Sequence, residues 1–97
     1  MATYLMLFRF TPQGMVHIQE SPARVAAAKR AFQVLGAEVK AFYSLMGRYD
    51  TMFLVEAPDD ATVAKAALAL GALGNVHSET LRAFSEEEYR QIVAALP

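Results

Sequence analysis

The chain has 97 residues, a formal net charge of −1 and no basic run, which excludes nucleic-acid binding by phosphate neutralisation. It has no cysteine, which excludes disulfides, thiolate catalysis and iron–sulfur ligation. One domain spanning residues 1–97 is the expectation at this length. A charged leader and an apolar run of ~20 residues are both missing, so the chain reads as cytoplasmic, without a membrane span.

The first predicted element is a strand, "TYLMLFRF", residues 3–10. Thr11-Pro12 then has the form of an N-cap followed by a proline in the first helical turn, opening a short helix over 12–19. Ser21-Pro22 repeats that signal, and Val25, Ala28, Phe32 and Leu35 recur at helical spacing before Gly36. A second strand covers 38–46 and a third 51–57, ended by Pro58. Asp59 or Asp60 can cap a helix carrying Val63, Ala66, Ala67, Leu70 and Leu73. The fourth strand is "NVHSETLRAF", 75–84. Ser85 with Glu88 then has the spacing of a capping box for a last helix over 86–96.

This order is β-α-β-β-α-β with a C-terminal helix, an α+β ferredoxin-like arrangement. Right-handed crossovers then give the strand order 4-1-3-2, all neighbours antiparallel. Alternation sets Tyr4, Met6, Phe8 and Phe10 on one face of strand 1 and Thr3, Leu5, Leu7 and Arg9 on the other. Strand 3 is apolar on both faces as well, yet the crossover helices cover only one. With hydrophobic residues at 55% and a mean hydropathy of +0.22, the composition exceeds what one thin core needs. A homodimer or larger ring, sheet against sheet, is the expectation.

Between strands 2 and 3 lies Gly47-Arg48-Tyr49-Asp50. Gly47, Tyr49 and Asp50 match the Gly-x-Tyr-Asp signature of the GYD domain family. The likeness continues through "TYLMLFRFTPQG", "SPARVAAAKR", "MGRYDTMFLVEAPDD" and "ALALGALGNVHSETLRAF". The resemblance implies a small protein of the dimeric α+β-barrel kind. The family, largely uncharacterised, implies no catalytic residues. The chain also resembles the ligand-binding module of the leucine-responsive regulatory protein family, which has Gly-x-Tyr-Asp at the same place and binds amino acids between subunits. Without a helix-turn-helix segment, that likeness implies a stand-alone effector module.

Gly47-Arg48-Tyr49-Asp50 reads first as a turn: glycine supplies positive φ, and aspartate accepts from local backbone amides. The topology gathers Arg9, Asp50, His77 and Glu79 at one end of the sheet, where the segment with Gln13 and His17 begins. An Arg9–Asp50 ion pair is the plain expectation there. The sharper one is a polar rim over an apolar cavity lined by Phe8, Phe10, Tyr43 and Phe53, suited to a small organic metabolite. Arg9, His17, Tyr43, Tyr49, Asp50, His77 and Glu79 are the ligand-binding candidates. His77 and Glu79 share a face of strand 4, but two ligands are too few to hold a metal, so no metal or cofactor is expected. The alternative is a cofactor-independent enzyme of the monooxygenase or isomerase type known on such barrels. It would use His77, His17 or Tyr43 for proton transfer and Arg9 to hold a carboxylate or enolate oxygen.

Overall fold

A computed structural model describes all 97 residues, Met1 to Pro97. Its elements are β1 (Ala2–Phe10), α1 (Pro12–Val16), a 3-10 turn (Ile18–Glu20), α2 (Ser21–Val34), β2 (Glu38–Ser44), β3 (Thr51–Ala57), α3 (Asp60–Ala72), β4 (Val76–Ala83) and α4 (Glu86–Ala94). The four strands form one antiparallel sheet in the order β2-β3-β1-β4, with the apolar-rich β1 and β3 in the centre. This is the ferredoxin-like arrangement. No helix is long and apolar enough to cross a membrane.

Local chemistry places the helix starts. The Thr11 hydroxyl accepts from the Gly14 amide at 3.1 Å and opens α1. Asp59, not Asp60, caps α3, accepting from the Thr62 amide at 2.9 Å and its hydroxyl at 2.7 Å. Ser85 and Glu88 exchange both bonds of the capping box. The Ser21-Pro22 signal places the start of α2, but Ser21 is its first residue rather than its cap, and the helix follows the 3-10 turn with no side-chain cap. The 12–19 helix divides into α1 and that turn, and β2 ends at Ser44, before Leu45 and Met46.

Helices α2 and α3 pack on one face of the sheet. Tyr4, Met6 and Phe8 of β1 and Phe53, Val55 and Ala57 of β3 are buried there with Ala28, Phe32, Val63 and Ala66. Phe53 is the hub, meeting Phe8, Phe32 and Phe42 edge-to-face at centroid separations of 5.1, 5.6 and 5.9 Å.

The register defines the opposite face as cross-sheet rows. One runs Ala41–Leu54–Leu5–Leu81 and the next Tyr43–Met52–Leu7–Glu79. No helix covers these rows: Leu5, Leu7, Met52 and Leu54 are half-buried among themselves, and Tyr43 and Leu81 are exposed. Helix α4 buries none of its residues, and its stripe of Tyr89, Ile92 and Val93, continued by Leu96 just beyond its end, is exposed. The molecule is accordingly elongated, with extents of 51 × 31 × 18 Å.

Candidate functional site

The end of the sheet where β1 finishes carries two distinct surfaces. On the open face Arg9 sits opposite His77, and Leu7 opposite Glu79. The Tyr49 hydroxyl donates to the Glu79 carboxylate. That bond, helped by partial desolvation and by the Glu79 charge, raises the Tyr49 phenol above its ordinary pKa, while Arg48 and Arg9 pull it down. Tyr49 thereby ties the turn to edge strand β4, and Arg9 and Arg48 supply positive charge beside it.

Asp50 has a different task. Its amide donates to the Phe8 carbonyl and its own carbonyl accepts from Leu45, both at 2.8 Å. Its carboxylate accepts from the Phe10 amide at 2.8 Å. Asp50 therefore clamps the ends of β1 and β2 to the start of β3, and the expected Arg9–Asp50 ion pair does not form: Arg9 has no carboxylate within 4.0 Å. Gly47 takes a φ of +123°, a conformation that L side chains rarely adopt. In these two residues the motif is a turn and a backbone clamp.

Behind this end, on the helix-covered face, a cleft of about 310 Å³ opens between α2 and α3. Phe8, Phe10, Phe42 and Phe53 wall it with Val25, Leu70, Leu73 and Val76, and Ser21, Arg24, Thr51 and Asn75 supply the polar groups. Three of the four expected aromatic residues are there. Tyr43 is not; Phe42 takes its place. The cause is a register shift between Val39 and Ala41, a bulge at Lys40, after which Phe42 faces the helices and Tyr43 the open side.

The remaining candidates are dispersed. His17 is exposed at the end of α1, its Nδ1 3.3 Å from a Glu20 carboxylate oxygen. Its backbone carbonyl accepts from Arg24, and none of its bonds reach the sheet-end cluster. The His77 side chain is exposed on β4 without a polar partner. His17, His77 and Tyr43 do not line the α2–α3 cleft, which carries no histidine, tyrosine or carboxylate at all. No three of the chain's His, Asp and Glu side chains gather as a metal-binding group.

Residues 11–14 and 73–75, whose contact the sequence did not announce, are joined beside the cleft that Leu73 and Asn75 line. Thr11 donates through its amide to Asn75 at 3.0 Å and through its hydroxyl to Gly74 at 2.6 Å. Gln13 donates to Leu73 and to the Asn75 side chain. Gly14 is buried so close to Asn75 that a Cβ would run into its carbonyl oxygen. The available signal was the glycine inside a predicted helix, a costly choice there that its close packing on Asn75 explains.

Comparison with known proteins agrees with this architecture. A family model described as the GYD domain matches residues 4–93. The chain belongs to the GYD domain family. Among curated proteins, this GYD domain chain is similar to one from Thermus thermophilus named glutamine synthetase and cystathionine beta-lyase binding protein. The two are 36% identical over 84 residues, 86% of this chain and 88% of the relative. Among solved structures it is similar to a crystal structure from Thermus thermophilus, at 29% identity and a TM-score of 0.57, covering 88% of this chain and 95% of that one.

Proposed function

We propose that this GYD domain protein is a protein-binding module whose open sheet face is its contact surface, occupied by a second copy of the chain when no other partner is present. One observation carries the reading: the Ala41–Leu54–Leu5–Leu81 row, with Tyr43, Met52 and Leu7 beside it, forms an apolar band across the sheet, uncovered by any helix of the same chain. Contiguous apolar surface rimmed by polar groups, here Arg9, Glu79, Glu38 and Glu56, is the usual sign of a protein contact. A two-fold pairing of the face with itself buries the same rows from both copies. The name of the 36% identical relative supports a binding role and extends it to metabolic enzymes such as glutamine synthetase and cystathionine beta-lyase.

Native mass spectrometry at micromolar concentration, alone and with each enzyme purified from the same host, tests this. The expected spectrum contains a dimer or larger ring, Leu54→Glu reduces it to monomer, and at least one enzyme adds mass. A stable monomer that takes up neither enzyme overturns the proposal.

A second reading, binding of a small organic metabolite, is favoured by the α2–α3 cleft. Its 310 Å³ lies at the small end of ligand pockets, ~300–1,000 Å³, and an apolar wall with a few polar groups is their usual lining. Turnover by His17, His77 or Tyr43 gains no support from this cleft, because none of the three lines it.

A further inference from the structure

We propose that the α2–α3 cleft takes a small apolar carboxylic acid, the hydrocarbon part among the phenylalanines and the carboxylate on Arg24. This rests on the small-molecule reading of the cleft and adds the chemical class and the residue that selects it.

Arg24 is the one charged side chain lining the cleft. No carboxylate lies within 4.0 Å of it, although Glu20 is only four residues away. Its guanidinium is nevertheless fixed, donating through Nη1 to the His17 carbonyl at 2.9 Å and through Nη2 to the Gly14 carbonyl at 3.3 Å. Two of its five N–H donors are used in this way, and three remain. A planar fork held in place at an apolar wall, with donors left over, pairs well with a carboxylate.

Two neutral donors add to the preference. Ser21 lies one turn before Arg24 on α2, and Thr51 is a buried polar residue of the cleft wall. The hydroxyls of both make no hydrogen bond within the chain. A cation, two free hydroxyls and no acidic group repel a cationic ligand and leave a neutral one without a partner for Arg24. The walls are apolar and four of them aromatic, which suits a short acyl chain or a phenyl ring.

Calorimetric titration with sodium octanoate and with octan-1-ol separates the possibilities. Octanoate is expected to bind one per chain, about tenfold or more tighter than octanol. In Arg24→Gln octanoate falls to the affinity of octanol while octanol is unchanged, and Arg24→Lys lies between. Ala31→Met, which fills the cleft from its exposed rim, abolishes binding of both and leaves the oligomeric mass unaltered. Backbone amide shifts should centre on Phe8, Phe42 and Thr51. Equal affinity for acid and alcohol, or an unchanged octanoate affinity in Arg24→Gln, overturns the acid assignment and leaves the small-molecule reading standing. No binding of either probe at millimolar concentration overturns both. Should Arg24→Gln not fold, the acid-to-alcohol ratio of the wild type and the loss in Ala31→Met still decide.

Discussion

Phe53 and Leu54 are neighbours in one strand, similar in chemistry, and they meet opposite fates. Phe53 is 2% exposed at the centre of an aromatic cluster, while Leu54 stays half-buried in a row that no helix of its own chain covers. The same contrast separates Met6 from Leu7 and Tyr4 from Leu5. A residue's hydrophobicity says that it will be covered, whereas topology decides by what. Two crossover helices on one side complete one half of the core, and no element of the chain covers the other.

The contrast is sharpest between two substitutions. Phe53→Ala removes the hub of three ring contacts from a closed core and should cost about 3–5 kcal/mol in urea unfolding. Leu54→Ala should show most of its effect in association, because a two-fold contact counts the deletion twice. The dimer is expected to weaken about tenfold or more in analytical ultracentrifugation. If Leu54→Ala costs as much as Phe53→Ala in unfolding and leaves the dimer constant unchanged, the two faces do not differ as described.

Asp50 belongs to neither face; it holds the strands that carry both. Asp50→Ala leaves the Phe10 amide without its acceptor and should cost about 1.5 kcal/mol in the same unfolding measurement. Octanol binding should weaken as well, since Phe8 and Phe10 wall the cleft next to the loosened clamp. A loss of octanol binding at unchanged stability would instead make Asp50 a direct contact of the ligand.

Much of the fold was legible because the signals were local. Thr11, Asp59 and the Ser85–Glu88 pair cap the helices their spacing announced. The element order with right-handed crossovers led to the correct strand order, and the two-faced alternation of β1 and β3 to an uncovered face. The site was less legible. Tyr43 and Phe42 are adjacent, and only the bulge at Lys40 decides which of them enters the cleft; no residue type there announces a bulge. Arg9 and Asp50 converge as topology demands, but Asp50 is engaged by the Phe10 amide. Arg24 escaped notice because only the folded chain brings to it the backbone carbonyls that hold it, and only there does its lack of a carboxylate partner show.

Acid separates a helix of the covered face from one with nothing beneath it, and its effect is the smallest expected. Asp59 at the start of α3 is held below its ordinary pKa chiefly by the Thr62 hydroxyl and amide, and Glu88 in α4 chiefly by the Ser85 amide. A depressed carboxylate stabilises the fold above its unfolded value, near pH 4, and that contribution is lost as pH falls through the lower folded value. Both caps therefore fail in the same acid window, with different consequences. Helix α3 stays anchored by buried Val63 and Ala66, whereas α4 buries nothing and relies on its capping box and on ion pairs of Arg82 with Glu88 and of Arg90 with Glu86 and Glu87. Amide hydrogen exchange, corrected for intrinsic rates, should show α4 losing protection as pH falls below about 4 while α3 keeps its own. Equal protection of the two helices at pH 3 in the dimer, lost from α4 alone in the Leu54→Glu monomer, would mean that the second copy covers the Tyr89–Ile92–Val93–Leu96 stripe as well as the sheet.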